Sequence, residues 1–234
     1  MKRQLLRLGG LLLLCSVALQ AAFALRVAAM RFIDPQSSSF QRSEAWRLLT
    51  EQHRLLWSHQ WVDRERISRQ LDRAVIASED SGFVDHNGVE WDAIEKAWAH
   101  DQRALARPTA HAKIVGGSTI SQQLAKNMLL SGERTILRKA QEFAITMMLE
   151  AMLSKQRILE IYLNNVEWGE GLYGAQAAAR HYFHVDAARL SAEQAARLAV
   201  MLPAPKRFEK RPGSPYVVGR AATIVARMPA VELP

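Results

Sequence analysis

The chain is almost without cysteine: among its 234 residues Cys15 is the only one. An intramolecular disulfide and a cysteine-based zinc site are both excluded. Leu14, just before Cys15, is not the small residue that a lipoprotein signal places there. Long apolar runs are equally scarce, with one exception at the N-terminus. No internal repeat is visible, and no stretch alternates apolar and polar residues well enough to argue for a sheet. Acidic residues are thin over one region. Residues 103 to 139 carry Arg103, Arg107, Lys113, Lys126, Arg134, Arg138 and Lys139 against the single acid Glu133. Such a segment calls for an anion.

What is present suits one sizeable domain. Hydrophobic residues make up 49% and charged residues 23%, with a net charge of +8. Half of that excess belongs to the first 36 residues, where Lys2, Arg3, Arg7, Arg26 and Arg31 oppose only Asp34. The remainder is too small for overall charge to imply nucleic-acid binding.

The exceptional run, Leu8 to Leu25, holds no charge and is just long enough to span a bilayer. The basic residues before it predict a cytoplasmic N-terminus. Ala22-Phe23-Ala24 also resembles a signal-peptide cleavage site. We expect an uncleaved anchor over residues 1–36, with the linker Asp34 to Ser39 leading to one exported domain over 37–234. Trp46, Leu49 and Leu56 suggest the first amphipathic helix of that domain. Trp57 and Trp61 nearby suit either its core or a membrane interface.

Ile67, Leu71 and Val75 recur every four residues, and the next step lands on Glu79. Gly82 and Asn87-Gly88 then break the pattern. Glu79 is thus expected on the core-facing stripe of a helix end, beside an irregular loop, where a carboxylate can act as a general base. A solvated Glu79–Asp80 pair is the plainer alternative. Trp91, Ile94 and Trp98 mark a short helix, and residues 105–115 show no clean period.

Gly116-Gly117-Ser118 then opens a further helix, with Ser118 as the expected N-cap. Free N–H groups at a helix start attract anions. Thr119, Gln122 or Gln123, and Lys126 would form one polar face. A long helix is expected over 134–154, with Ile145, Leu149 and Met152 inward. On it Arg138 and Glu142 form either a surface ion pair or a cleft carboxylate held among cations. Gly169 to Gly174 spells G-x-G-x-x-G, but nothing else alternates strand and helix, so a tight turn is expected rather than a dinucleotide site. His181 and His184, three residues apart, are expected as a surface pair. Ser191 to Gln194 is a capping box, closed by Pro203 and Pro205.

The motifs resemble, in order, those of the peptidoglycan glycosyltransferases. Glu79-Asp80-x-x-Phe83-x-x-His86-x-Gly88 resembles the first, and Gly116-Gly117-Ser118-Thr119-Ile120-Ser121-Gln122-Gln123-Leu124-x-Lys126-Asn127 the second. Arg138-Lys139-x-x-Glu142 resembles the third, and Lys155-x-x-Ile158-Leu159-Glu160-x-Tyr162-Leu163-Asn164-Asn165 the fourth. The chain looks like the monofunctional biosynthetic form, because no Ser-x-x-Lys of a transpeptidase occurs.

The resemblance implies a mainly α, lysozyme-like domain that polymerises lipid II into β-1,4-linked strands with inversion. Glu79 would be the general base, with Glu142 as a second catalytic carboxylate in the donor half. Asp80, Phe83, His86, Ser118, Thr119, Gln122, Gln123, Lys126, Asn127, Arg134 and Arg138 would bind substrate. No cofactor is required, although a divalent cation, magnesium or manganese, could sit near Glu142. The implied partners are lipid II, the nascent strand, the bacterial inner membrane and other wall-synthesis or division proteins, with no nucleic acid. The domain would lie on the periplasmic side. A glycan-cleaving enzyme of similar fold and a non-catalytic scaffold are the alternatives. The first would need one carboxyl to protonate the leaving oxygen, a role that the cations around Glu142 disfavour.

Overall fold

A computed structural model describes residues 2–91, 118–133 and 135–234. Arg134, Gly116-Gly117, residues 105–115 and the helix expected from Ile94 to Trp98 lie outside them.

Helix α1 (Lys2–Ala29) comes first. Its stretch from Arg3 to Ala29 is long and apolar enough to cross a membrane. Its leucines, Leu11 to Leu14 among them, are exposed. From Gln20 onward the helix leans on the domain. Gln20 and Gln141 exchange side-chain hydrogen bonds of 2.7 and 3.0 Å, and Val27 and Met30 are buried. Arg157 then clamps the linker, donating to the carbonyls of Met30 and Ile33 and to Asp34 Oδ1. The polar Gln20 inside an apolar run thus has a protein partner.

Helix α2 (Ser39–Gln52) starts at a Ser38–Gln41 capping box. Its buried residues are Gln41, Glu44 and Leu48, whereas Trp46 and Leu49 are exposed, opposite to the inward face expected for them. Polar partners decide this. Gln41 donates to the Asn165 carbonyl at 2.9 Å, and Glu44 pairs with Arg47 and with Lys206. Strand β1 (Ser58–His59) leads to α3 (Arg69–Glu79). Ser68 caps α3, so Ile67 is buried just ahead of the helix and Leu71 and Val75 within it.

The site is carried by α4 (Ile120–Leu129), α5 (Ile136–Met152) and α6 (Lys155–Asn165). Each begins at a Ser or Thr whose hydroxyl accepts a backbone N–H three residues on, the usual remedy for unpaired helix-end donors. The α4 cap is Thr119 rather than Ser118, because Thr119 stands three residues before the Gln122 that completes the box. Ile145 and Leu149 point inward from α5 as expected, with Met152 partly buried.

After α6 come β2 (Glu167–Gly169) and β3 (Leu172–Tyr173). Strand β3 pairs antiparallel to β2 and parallel to β1, a small sheet that the sequence did not reveal. Strands of two or three residues are too short for a period of two to show. The chain closes with α7 (Ala175–Phe183), α8 (Ala192–Met201), α9 (Pro205–Phe208) and α10 (Pro215–Arg227). Helix α8 packs on α3 and α10. His184 is the left-handed C-cap of α7, which gives one member of the histidine pair a backbone role.

The G-x-G-x-x-G string makes the β2–β3 turn and the start of α7. Gly174 has φ 82, and a Cβ there would lie 2.5 Å from the Asn164 carbonyl oxygen. Only glycine permits this approach of α7 to α6. Gly174→Ala should cost about 2 kcal/mol or more, lowering Tm by several degrees in a calorimetric melt. An unchanged Tm would show that the contact relaxes freely.

Candidate active site

Glu79 is the last residue of α3, next to the buried Asp80 that ends the helix. Its carboxylate is partly buried. Oε2 accepts from Gln123 Nε2 at 3.1 Å, and Oε1 from the Ser78 hydroxyl at 3.2 Å. Burial pushes the Glu79 carboxyl above its ordinary range, and the Asp80 charge adds to the rise. The hydrogen bonds from Gln123 and Ser78 pull the other way. A raised carboxyl with its lone pairs near a cleft is a stronger base than an ordinary one.

Asp80 ties the two halves of the site together. Its Oδ2 accepts the Ile120 N–H of α4 at 2.9 Å, and its Oδ1 lies 2.7 Å from His86 Nε2. His86 Nδ1 accepts the Gly88 N–H at 3.0 Å, so the ring proton that faces Asp80 sits on Nε2. Thr119 Oγ1 donates to the Gly88 carbonyl at 2.7 Å. Gly88 itself has φ 81, and a Cβ there would fall 2.6 Å from Thr146 Cγ2. Lys155 closes the loop from below. It donates to the His86 carbonyl at 2.6 Å and to Glu150 Oε1 at 2.9 Å, and stands over the Phe83 ring.

Four residues expected to touch substrate are therefore internal. Asp80, Phe83 and Thr119 are 6%, 0% and 4% exposed, and both ring nitrogens of His86 are engaged. They hold the loop and the start of α4 in place. Gln122 is likewise spent on the cap of α4.

The rest converge. A cavity of about 540 Å³ is lined by Ser118, Gln123, Lys126, Asn127, Arg138 and Glu142, with Lys139 beside them. Its far wall includes Phe40, Glu167 and Pro205. Glu79 stands one side chain away, behind Gln123. Glu142 is 2% exposed, with Arg138 at 2.7 Å from Oε2 and Lys139 at 2.5 Å from Oε1. Both oxygens are thus engaged by cations. Among the described residues no three His, Cys, Asp or Glu side chains are placed to hold a metal.

Two residues of this region are not among those expected at the site. Tyr162 lies in the fourth motif, but its hydroxyl reaches Gln123 only through the crossing of α6 and α4. Glu167 borders the cavity at 8% exposure, 3.6 Å from Lys206. Its carboxyl is pushed up to about 7, chiefly by burial, with Lys206 opposing and the Glu44 charge adding. Periodicity cannot flag a residue in a three-residue strand.

The chain is similar to known proteins over nearly its whole length. A family model described as Transglycosylase matches residues 48–229. The "Biosynthetic peptidoglycan transglycosylase" of Paraburkholderia xenovorans is 49% identical over 233 residues, 99% of this chain and 94% of that one. The protein of the same name from Burkholderia pseudomallei is 51% identical over 233 residues, 99% and 88% of the two chains. That from Burkholderia thailandensis is 52% identical over 227 residues, 97% and 86%.

Glu167 supplies a pH test. The folded chain holds its proton more tightly than the unfolded chain does, so this contribution to stability is lost as pH rises from the ordinary 4.5 to about 7. Glu167→Gln should therefore match the wild-type Tm at about pH 4 and exceed it by about 3 °C or more at about pH 8. An equal Tm difference at both pH values would refute the ionisation as the cause.

Proposed function

The chain belongs to the transglycosylase family and is a peptidoglycan glycosyltransferase, and from that premise we propose that Glu79 is the general base of glycan-strand polymerisation. The substrate is lipid II, added to a strand carried on undecaprenyl pyrophosphate. Glu79 removes the proton from the acceptor sugar's 4-hydroxyl as that oxygen attacks the donor's anomeric carbon. The C–O bond to the pyrophosphate breaks on the opposite face, with inversion, and its electron pair leaves on the pyrophosphate. A pyrophosphate needs its charge neutralised more than it needs a proton. Lys126 and Arg138 in the cavity wall are suited to that, with Arg134 a further candidate. Glu142 orders Arg138 and Lys139, holding two cations of the donor half at fixed positions. Ser118, Gln123 and Asn127 are left to position the donor.

The observation that carries this reading is the pairing of a raised carboxyl at Glu79 with a cavity walled by cations, joined through Gln123. The helix from Arg3 to Ala29 crosses the bacterial inner membrane with Lys2, Arg3 and Arg7 inside, leaving the domain on the periplasmic side near its lipid-borne substrate. Trp46 and Trp57, both exposed, suit the adjoining interface.

The test is polymer formation from labelled lipid II by the full chain in detergent or vesicles. Glu79→Gln should lower the rate by about 10³-fold and Lys126→Ala by about 10²-fold. Because the base must be ionised, kcat/KM should rise with pH along a limb lying above the ordinary 4.5. Full activity of Glu79→Gln would remove the base from this role. Shortening of preformed glycan by the wild type would reverse the direction of the chemistry.

A further inference from the structure

The chemistry above leaves Tyr162 unused, yet its side chain is 1% exposed and its hydroxyl ends on a single atom of the site, Gln123 Oε1, at 2.9 Å. Gln123 is a planar amide that can present either its oxygen or its NH₂ to Glu79. Nε2 lies 3.1 Å from Glu79 Oε2 and 3.1 Å from the Ser118 carbonyl oxygen. With Glu79 ionised, both are acceptors only. Turned by half a rotation, the amide would set its oxygen against two oxygens and leave a buried N–H pair facing the phenol. The two acceptors favour the observed orientation, and the Tyr162 O–H adds to that preference by pairing the amide oxygen on the other side.

We propose that Tyr162 is a positioning residue for the base: its hydroxyl donates to Gln123 Oε1 and thereby keeps the Gln123 amide N–H aimed at Glu79. This rests on the reading of Glu79 as base. Tyr162 itself touches neither substrate nor reacting atoms. The phenol is a dependable donor because burial holds its proton well above the usual range, a rise to which the Glu79 and Asp80 charges contribute. The orientation that it selects is the one that stabilises the Glu79 carboxylate.

Among the described residues, Ser78, Asp80 and Gln123 are set against Glu79. Asp80, with His86 behind it, lies beside Glu79 at the end of α3. Helix α6 presents Tyr162, and α4 the neutral Gln123 amide. Helices α8 and α10, which also pack on α3, bury apolar side chains such as Leu198, Ala199 and Ile224. Removing the phenol leaves the Gln123 amide oxygen without its donor, so the amide is held only from its N–H side and its hydrogen bond to Glu79 loosens.

The experiment is the pH dependence of kcat/KM for polymer formation from lipid II by the full chain, wild type beside Tyr162→Phe. Loss of the oriented hydrogen bond should move the acidic limb up by about one pH unit, the tenfold effect expected of a hydrogen bond to a charged acceptor. Gln123→Ala should move the limb in the same direction, and adding Tyr162→Phe to it should move it no further. A purely structural phenol would lower Tm and leave the limb in place. A second readout is the ¹³C carboxyl titration of Glu79 in both proteins, which needs no turnover and should show the same rise. An unmoved limb and an unmoved titration in Tyr162→Phe, beside an inactive Glu79→Gln, would overturn this inference alone. An active Glu79→Gln would overturn the base reading and, with it, Tyr162 as its positioner.

Discussion

One buried carboxylate holds the site together. Asp80 accepts the first helical N–H of α4 with one oxygen and grips His86 with the other. A charge at a helix N-terminus is favoured by the unpaired donors and the dipole there, so the end of α3 is pulled against the start of α4. Glu79 is the residue before Asp80, and Gln123 lies one turn into α4. Their hydrogen bond follows from that junction. The loop between them is tied by His86 to Gly88 and by Thr119 to the Gly88 carbonyl, which makes the carboxylate, the loop and the cap one rigid piece.

The site is built on a contrast between two acidic side chains. At Glu79 desolvation dominates, so the carboxyl is raised and tuned toward accepting a proton. Glu142 is more deeply buried but lies between Arg138 and Lys139, so its charge is matched at once. Removing a charge from water is costly unless it is paired. The ion pairs on α5 and the desolvation at the end of α3 therefore give two residues of one type different electrostatic settings. The cations neutralise Glu142 and line one wall of the cavity.

The anchor takes part in the same architecture. Gln20 breaks the apolar run of α1 and is matched by Gln141 on α5, while Arg157 on α6 grips the linker at three points. The long apolar helix is thus joined to the two helices that carry Arg138, Lys139 and Tyr162. The cleft is held at a set position relative to the span rather than tethered by a loose linker.

Much of this was legible beforehand. The four-residue rhythm of Leu71 and Val75 led to Glu79 on an inward stripe, and the 18 uncharged residues from Leu8 to Leu25 foretold the long apolar helix. The charge pattern of Arg138, Lys139 and Glu142 put three partners on one helical face. Such features are local, because helical periodicity, capping boxes and charge spacing are properties of a few consecutive turns. What the sequence could not disclose was which polar residues spend their groups inside. Asp80, His86 and Thr119 look like ligands in a string of letters, yet they are used up in joining α3 to α4. Trp46 faces outward because Gln41 and Glu44 find partners on other elements. Tyr162 and Glu167 reach the cleft only through helix crossing and a three-residue strand. Contacts between residues dozens of positions apart depend on how the helices cross, and no local pattern encodes that crossing.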